Sequence, residues 1–313
     1  MKRRMYTVLA GGVGAARFLQ GFLNTVDPSE VTIIVNTGDD EEFYGLHVSP
    51  DLDIVMYTLA GIVDQKKGWG IYRDTFLCME VLHRYGEETW FKLGDMDLAT
   101  HVLRTELLDE NVTLSEVTRK LCHELGIRSR IIPMSNNKVS TMVRIGSGFI
   151  KFQEYFVKRA TSDDVNKVIF KGIANAKPAP DVVDSIMDSK GIIVAPSNPI
   201  VSIGTILGVR GVRKALRDTK ARKVAISPIV GGNAIKGPAD RLMRGLGMEP
   251  SAYGVAALYR DFLDWMVIDE IDVALKGRIE GLGMNVGITD TIMRNQRKKE
   301  NLARFILDIF GRG

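Results

Sequence analysis

The chain opens into Met5-Tyr6-Thr7-Val8-Leu9-Ala10-Gly11-Gly12-Val13-Gly14-Ala15-Ala16-Arg17, an apolar run that turns on three glycines into a helical pattern. Glycines let the backbone approach an anion without a Cβ in the way. The helix that follows points its unpaired N–H groups and the positive end of its dipole at the same place. We therefore predict a phosphate-binding turn here, the alternative being a strand-to-helix turn that binds nothing.

The glycine motifs also argue against two common nucleotide sites. A dinucleotide fingerprint that starts at Gly12 needs a glycine at position 17, where the chain has Arg17. A second cluster, between Gly231 and Gly237, ends in Gly237-Pro238 and lacks the Lys-Ser or Lys-Thr pair of a P-loop. The predicted phosphate site is thus neither a typical NAD site nor a Walker A motif.

The composition is that of an ordinary globular protein. The 313 residues are 45% hydrophobic, which is enough to bury a large core. The net charge of +4 is small against 42 basic and 38 acidic residues, so no nucleic-acid partner is expected, although an anionic ligand is suited. Cys78 and Cys122 both fall in predicted helices, which predicts neither a disulfide framework nor a metal knuckle and favours a reducing cytoplasm.

No leader and no membrane segment is predicted. The basic start Met1-Lys2-Arg3-Arg4 is followed by a short strand and glycines, a pattern too short and too broken for a signal peptide. Gly191 to Val209 carries no charge over 19 residues, but Pro196-Ser197-Asn198-Pro199 interrupts it with turn residues.

Apolar runs that alternate with helical patterns predict an α/β fold, a Rossmann-like, doubly wound and mostly parallel sheet. The predicted strands cover residues 5–10, 31–35, 191–195, 223–227, 265–268 and 284–288. We expect residues 1–61 and 176–313 to form this nucleotide-binding core. The last predicted helix, about 290–310, carries Arg294, Arg297, Lys298 and Lys299 as a solvated face, with lipid or RNA binding as the alternative.

Residues 62–175 have a different pattern, which predicts a smaller α+β subdomain inserted into the core. It contains predicted helices at 74–85 and 97–108, and two alternating runs within 139–153 that meet at Gly146-Ser147-Gly148 as a β-hairpin. We expect the active site in the cleft between core and insertion, with the insertion contributing to an acceptor site.

Carboxylates follow the second strand, in Asn36-Thr37-Gly38-Asp39-Asp40-Glu41-Glu42. Four adjacent carboxylates repel one another, which suggests a divalent cation beside phosphates. Asp39 and Asp40 are the candidate ligands, whereas Glu41 and Glu42 fit a solvated turn.

Two further acidic segments have structural explanations as well as functional ones. In Ser49-Pro50-Asp51-Leu52-Asp53, Pro50 can open a helix and Asp51 can complement its dipole. In Lys92-Leu93-Gly94-Asp95-Met96-Asp97, running on to His101, Asp97 fits a helix N-cap.

Two later strands also end in polar or glycine residues. Ala195 to Ser202 and Ser227 to Asn233 bring hydroxyls, amides and a glycine pair to the edge where ligands of parallel sheets bind. Contacts from three strand ends predict one long, phosphate-bearing substrate.

Taken together and in order, these motifs resemble the CofD family of 2-phospho-L-lactate transferases. The resemblance covers most of the chain. It implies transfer of a phospholactyl group from lactyl-diphospho-guanosine to the ribityl hydroxyl of the deazaflavin Fo, with magnesium, giving coenzyme F-420-0 and GMP, in a cytoplasmic homodimer. The absence of a Ser-His or Cys-His nucleophile motif in the sequence agrees with direct phosphoryl transfer.

The resemblance also suggests residue roles. It places Gly11, Gly12 and Gly14 at the donor phosphates and, around the rest of the guanosine diphosphate, Asn36, Ser197, Asn198, Ser202, Gly231 and Gly232. Asp39 and Asp40 would hold or adjoin magnesium. Asp51, Lys92 and Asp95 would contact Fo, and Asp51 would accept the proton of the attacking hydroxyl, with Asp40, Asp95 or solvent as alternatives.

Three matters stay open at this stage. The donor acid can be lactate or a related three-carbon acid such as enolpyruvate. The chain can instead be a regulatory protein of the same superfamily that binds a nucleotide sugar or dinucleotide without catalysis. An NAD-dependent oxidoreductase is disfavoured by Arg17.

Overall fold

The computed structural model describes residues 5–311. The basic start Met1-Lys2-Arg3-Arg4, on which the prediction about a signal peptide rests, lies outside the described residues. The strands are β1 (Tyr6–Ala10), β2 (Val31–Val35), β3 (Glu41–Phe43), β4 (Leu46–Val48), β5 (Arg130–Pro133), β6 (Ser140–Ile145), β7 (Gly148–Lys151), β8 (Lys167–Lys171), β9 (Gly191–Val194), β10 (Arg222–Ile226), β11 (Ile229–Val230), β12 (Asn233–Ala234), β13 (Trp265–Ile268) and β14 (Asn285–Ile288). The α-helices are α1 (Val13–Phe22), α2 (Pro50–Leu59), α3 (Leu77–Arg84), α4 (Asp95–Asp109), α5 (Leu114–Glu124), α6 (Val182–Met187), α7 (Ile203–Gly208), α8 (Val212–Asp218), α9 (Ala239–Gly245), α10 (Ala252–Tyr259), α11 (Lys276–Glu280) and α12 (Gln296–Gly311).

Seven parallel strands form the central sheet in the order β14-β13-β10-β9-β1-β2-β5. The inner strands are almost entirely buried because helices cover both faces, which is why they are continuous Val and Ile runs. The predicted doubly wound α/β fold is confirmed. The chain leaves β1 toward β2 on one side and returns to β9 on the other, and such a switch point opens a crevice at the carboxyl ends of the strands.

Two apolar layers hold the sheet between the helices. One layer packs α1, α2, α5 and α12 on one face, through residues such as Phe18, Leu52 and Ile306. The other packs the short helices from α6 to α10 on the opposite face, through residues such as Ile203 and Leu242. The close contact of α1 with α12 fixes the direction of α1 and therefore the orientation of its N-terminus toward the crevice.

The predicted insertion is only partly a separate element. The hairpin through Gly146-Ser147-Gly148 is confirmed as β6 and β7, and β8 joins it in a three-stranded antiparallel sheet. Residues 130–133, which lie within the predicted insertion of residues 62–175, form β5 and pair with β2 in the central sheet. The division at residues 61 and 176 stays a prediction.

Several local predictions need correction. The last helix begins at Gln296 and not near 290, and Gly94 rather than Asp97 precedes α4. Asp97 lies in the first turn of α4, where its buried carboxylate accepts a hydrogen bond from the Tyr57 hydroxyl. The expected solvated turn at positions 41–42 is instead a strand, in which Glu41 pairs with Lys151 at 2.7 Å while Glu42 is exposed.

Other local predictions are confirmed. Pro50 opens α2, and Asp51 lies in its first turn. Cys78 and Cys122 lie in α3 and α5 as free thiols. Within residues 5–311 no helix combines the length and apolarity needed to cross a bilayer.

Candidate functional site

A cavity of about 640 Å³ lies beyond the carboxyl ends of the central strands. Its lining comes from the glycine turn after β1, from α2 and α4, and from the segments that follow β9 and β10. The short sheet of β6 to β8 contributes through the residues that follow β7. A cavity of this volume suits a ligand the size of a nucleotide or a cofactor.

The glycine turn is shaped by close packing against the end of β9. The Gly11 N–H donates to Ser197 Oγ at 2.9 Å. A Cβ on Gly14 would lie 2.1 Å from the Pro196 carbonyl oxygen, and a Cβ on Gly12 would lie 2.7 Å from Asp51 Oδ1. The glycines therefore bring the first turn of α1, with its unpaired N–H groups, directly to the cavity. Gly12 and Gly14 line the cavity, whereas Gly11 lies buried behind them.

Asn36 joins Asp39 and Asp51, two carboxyl groups that lie in separate motifs of the sequence. Its side-chain amide donates to Asp51 Oδ2 at 2.9 Å and to Asp39 Oδ2 at 3.2 Å. Its oxygen accepts the Gly38 N–H at 2.9 Å. Asn36 is completely buried and does not line the cavity, so its assignment to the nucleotide is replaced by a role in positioning Asp39 and Asp51.

Burial makes both of these carboxyl groups poor acids. Burial, followed by repulsion from Asp51, raises the pKa of Asp39 well above its usual range. Burial also raises the pKa of Asp51 to about 7, although hydrogen bonds from Asn36 and Ser202 favour the ionised form. Both residues line the cavity, and their raised pKa values mean that each carboxylate binds a proton more strongly than usual, or a cation in its place.

Asp40 does not join this pair. Its Oδ2 accepts a hydrogen bond from Ser49 Oγ at 2.7 Å and lies 3.1 Å from His47 Nε2, both in the segment from β4 to the start of α2. Asp40 is also absent from the cavity lining. The structure thus contradicts the placement of Asp40 as a metal ligand or base inside the cavity, because the β3–β4 hairpin turns it away.

The donor set fits magnesium at Asp39 better than at Asp40. Asp39 Oδ1 and Asp40 Oδ1 are both buried without a hydrogen-bond partner among the described residues, but of the two only Asp39 lines the cavity, where Asp51 is joined to the same Asn36 amide. Within residues 5–311 no group of three or more His, Cys, Asp or Glu side chains is arranged to hold a metal ion. Mg²⁺ is commonly held by one or two carboxylates together with substrate phosphates, and such a site does not need a third protein ligand.

A buried ionic network forms the floor of the cavity. Arg104 from α4 makes a two-pronged ion pair with Asp53 from α2, one prong being 3.1 Å from Nη1 to Oδ2. Tyr57 donates to Asp97 Oδ1 at 2.6 Å, and His101 Nε2 lies 3.2 Å from the same oxygen. Although burial opposes it, contacts with His101 and Tyr57 hold the pKa of Asp97 below its usual range. The network fixes α2, and with it Asp51, against α4.

Part of the cavity lining is aromatic, a feature that sequence reasoning missed. Its aromatic wall consists of Trp69, Trp90, Phe91, Phe152 and Phe156. Phe91 stacks on Phe43 at 4.0 Å between ring centroids, and Phe152 stacks on Phe156 at 5.7 Å. A wall of this kind suits a planar, apolar ring system. These residues come from three stretches far apart in the sequence, Trp69, the pair Trp90-Phe91, and the helical segment after β7 that carries Phe152 and Phe156, so no single local pattern pointed to the wall.

Of the residues predicted to contact Fo, two line the cavity and one does not. Asp51 and Lys92 are in the lining. Asp95 is not, because its carboxylate accepts the Thr75 hydroxyl and the N–H groups of Leu77 and Cys78 at the start of α3. Asp95 therefore caps α3, and its prediction as an Fo contact or a base is wrong.

The predicted nucleotide contacts divide in the same way. Ser197, Asn198 and Ser202 line the cavity, and the Asn198 Nδ2 amide is buried without a partner in the described chain. Gly231 and Gly232 do not line it, because they form the left-handed turn between β11 and β12, with the Gly231 N–H donated to Asp272. Residues 235–239 of the same loop reach the cavity in their place.

Basic residues at the cavity were also missed. Arg17, Lys67, Lys236 and Arg294 all line it. Arg294 was predicted on the solvated face of a terminal helix, but it precedes α12 and faces the cavity. The sequence does hold one signal for them, because Arg17 lies one helical turn after the glycine turn. From the sequence alone, that residue argues only against an NAD site.

Comparison with known proteins agrees with this geometry. A family model described as 2-phospho-L-lactate transferase CofD matches residues 6–284. A 2-phospho-L-lactate transferase of Methanosarcina acetivorans is 39% identical over 97% of this chain and 98% of its own length. One from Methanothermobacter thermautotrophicus is 41% identical over 98% of both chains. A phosphoenolpyruvate transferase of Kitasatospora aureofaciens is 41% identical over 96% of this chain and 95% of its own.

Among solved structures, a member of the UPF0052 family from Bacillus halodurans has a TM-score of 0.63 and covers 98% of this chain and 99% of its own. Its sequence identity is 16%, so this likeness concerns the fold alone. The family resemblance noted from the sequence motifs is confirmed.

Proposed function

Because this chain belongs to the CofD family of 2-phospho-L-lactate transferases, we propose that it transfers a phosphorylated three-carbon acid from a guanosine diphosphate-linked donor to a hydroxyl of the deazaflavin Fo. The observation that carries the proposal is the composition of one cavity. A glycine turn and helix N-terminus suited to phosphates share it with an aromatic wall suited to a planar heterocycle and with the paired carboxyl groups of Asp39 and Asp51.

In the proposed reaction, an Fo hydroxyl oxygen attacks the phosphorus that carries the three-carbon acid. A new P–O bond forms, the bridging P–O bond of the diphosphate breaks, and GMP leaves with the bridging oxygen. The hydroxyl proton passes to a base. Such a transfer depends mainly on in-line positioning and on neutralising the phosphate charge.

The residues of the chain divide this work between them. The first turn of α1 after Gly12 and Gly14 would bind the diphosphate, and Ser197, Asn198 and Ser202 would contact the nucleotide. Trp69, Trp90 and Phe91 would hold the deazaflavin ring, with Lys92 beside it. This arrangement would place the acceptor hydroxyl near Asp51.

Asp51 is the best candidate for the base. With a pKa raised to about 7, its carboxylate is a stronger base than an ordinary aspartate and still ionises near neutral pH. Asn36 holds one of its oxygens at 2.9 Å and so fixes its orientation. Magnesium, held at Asp39 together with the donor phosphates, would supply charge neutralisation for the transferring group.

The decisive experiment is to incubate the purified protein with Fo, Mg²⁺ and either the lactyl- or the enolpyruvyl-diphospho-guanosine donor and to weigh the products. A mass gain of Fo by the phosphorylated acid, with GMP released, is the expected result. The preferred donor decides between the two acids, since relatives of both names are about equally similar. Binding of GDP without turnover of either donor would instead favour a regulatory nucleotide-binding protein.

Two further expectations accompany the proposal. On the family resemblance, we propose that the protein is a homodimer and that it lies in the cytoplasm. Light scattering of the purified protein at micromolar concentration measures the oligomeric state directly.

A further inference from the structure

One side of the cavity carries positive charge that the proposed reaction has not used. This basic wall consists of Arg17 on α1, Lys236 in the loop after β12 and Arg294 before α12. The carboxylates that line the cavity, Asp39, Asp51, Asp53 and Asp97, come instead from the segment after β2 and from α2 and α4. The acidic and the basic groups of the cavity lining thus come from different elements of the fold.

Arg17 and Lys236 reach the same part of the cavity. Val13 and Arg17 are four residues apart on α1, so their side chains lie on one face, with Cβ atoms about 6 Å apart. A Cβ built on Gly68 would lie 3.7 Å from Val13 Cγ1 and 4.0 Å from Lys236 Nζ, which brings this ammonium group close to the first turn of α1. Arg17 therefore lies about one turn beyond the proposed diphosphate site, with Lys236 nearby.

Neither cation is neutralised by the protein. In the described part of the chain, the Arg17 and Lys236 side chains make no hydrogen bond or ion pair. Asp290 forms an ion pair with Lys298, and Glu300 forms one with Arg304. Arg17 is half-buried and close enough to Lys299 to lower the pKa of that ammonium group, after the effect of burial. A half-buried guanidinium that has another cation as a neighbour and no counter-ion in the described chain is stabilised when an anion binds to it.

We propose that Arg17, assisted by Lys236, binds the free carboxylate of the three-carbon acid on the donor. This inference rests on the proposed function and names the chemical group by which the donor is selected. In the proposed reaction the diphosphate would be bound by the N–H groups of the glycine turn and by magnesium, and no residue has yet been given to the carboxylate. Only one carbon separates this carboxylate from the phosphate ester, so a group that binds it must lie near the diphosphate site. The planar guanidinium of an arginine can bind a carboxylate through two parallel hydrogen bonds.

The test compares two donors on one enzyme. The first is lactyl-diphospho-guanosine, and the second is propan-2-yl-diphospho-guanosine, in which a methyl group replaces the carboxylate. The variants are Arg17→Met, Arg17→Lys and, as a matched control, Arg119→Met, which removes an exposed arginine of α5 that does not line the cavity. kcat/KM with Fo and donor binding by calorimetry are measured for each.

For the wild type we expect at least about 100-fold preference for the carboxylated donor, a value typical of a charged bidentate contact. Arg17→Met should reduce that preference to about 5-fold or less by losing activity and affinity on the lactyl donor only. Arg17→Lys should lie between the two, and Arg119→Met should match the wild type.

Equal losses on both donors in Arg17→Met would overturn the inference, because Arg17 would then act on the diphosphate or on the fold. A wild type that does not distinguish the donors would overturn it as well. Failure of the proposed function looks different: neither donor turns over. Calorimetry then still decides about Arg17, since a carboxylate preference in binding that the variant loses supports the contact without any reaction.

Discussion

Asn36 and Asp51 are joined by a hydrogen bond of 2.9 Å from the side-chain amide to Oδ2 of the carboxylate. The same amide donates to Asp39 at 3.2 Å, so one buried side chain holds two carboxyl groups that would otherwise repel each other. The arrangement is costly for folding when both groups are ionised, and it explains why these two residues of the cavity lining are suited to receive a cation and a proton.

The first prediction is that Asp51→Asn will lower kcat by about 100-fold or more, because general base catalysis contributes about 10²- to 10⁴-fold. Steady-state kinetics with Fo and the preferred donor measure this. The affinity for GDP should change little, since the amide keeps the shape of the carboxylate. Near-normal turnover would remove Asp51 from the proton transfer and leave solvent as the acceptor.

The same group predicts a pH dependence of stability. Because the folded pKa of Asp51 is about 7 and the unfolded value is near 3.8, the folded state binds more protons between these limits. The contribution of Asp51 to stability should therefore fall as the pH rises from about 4 to 7 and then level off. Thermal melts in EDTA measure this fall, and Asp51→Asn should reduce it. A wild-type melting temperature that rises steadily from pH 5 to 8 would contradict the assignment.

Magnesium should reverse that loss of stability. A cation that binds only the folded state stabilises that state by about 2.7 kcal/mol when its free concentration is about a hundred times its Kd. We expect millimolar Mg²⁺ with GDP to raise the melting temperature of the wild type at pH 8 by several degrees, and Asp39→Asn to abolish the part that depends on Mg²⁺. Asp40→Asn is the matched control and should keep it, because His47 and Ser49 hold Asp40 outside the cavity.

Two glycines of the same turn should fail in different ways when changed to alanine. In Gly14→Ala the new Cβ meets the Pro196 backbone oxygen at 2.1 Å, so we expect a loss of about 1–3 kcal/mol of stability. In Gly12→Ala the Cβ meets only the Asp51 carboxylate at 2.7 Å, where the side chain can move. That variant should keep its stability and lose activity, as denaturant melts and kinetics will show.

The ion pair between Asp53 and Arg104 predicts the largest loss of stability. Both side chains are almost fully buried, and removal of one partner leaves the other charge unpaired in the interior. Arg104→Met should cost about 3–5 kcal/mol in urea unfolding. Lys214→Met, which removes an exposed pair with Asp218 in α8, should cost less than about 1 kcal/mol. Similar losses in the two variants would refute the structural role assigned to Arg104.

Sequence reasoning succeeded where chemistry is local and failed where it depends on distant partners. The strand, glycine turn and helix from Tyr6 to Phe22 were predictable, because periodicity and glycine placement decide them within a few residues. The choice between Asp39 and Asp40 was not, since it depends on how the β3–β4 hairpin brings His47 back to Asp40.

The same limit explains the missed network and the misplaced Asp95. Asp53 and Arg104 are 51 residues apart, and no local pattern pairs them. Asp95 looked like a site residue beside Lys92, but it caps α3 while Asp74 accepts the N–H groups of Met96 and Asp97 at the start of α4. This exchange of caps between two loops is visible only once both helices are in place.

The aromatic wall gives the last prediction, and it tests the acceptor directly. Trp69 lines the cavity but is 42% exposed, so Trp69→Ala should change stability by less than about 0.5 kcal/mol. Loss of one face of the ring pocket should raise KM for Fo by about 5- to 10-fold, since an aromatic contact contributes about 0.5–1.5 kcal/mol. Affinity for GDP should stay as in the wild type, because the phosphate turn is untouched.

The control is Tyr85→Ala, which removes an aromatic ring that is 79% exposed and outside the cavity lining. Fluorescence titration with Fo compares the two variants with the wild type. If Trp69→Ala binds Fo as tightly as Tyr85→Ala does, the deazaflavin lies elsewhere. If it instead loses GDP and keeps Fo, the two ends of the cavity have been assigned the wrong way round, because the indole would then stack on the guanine base.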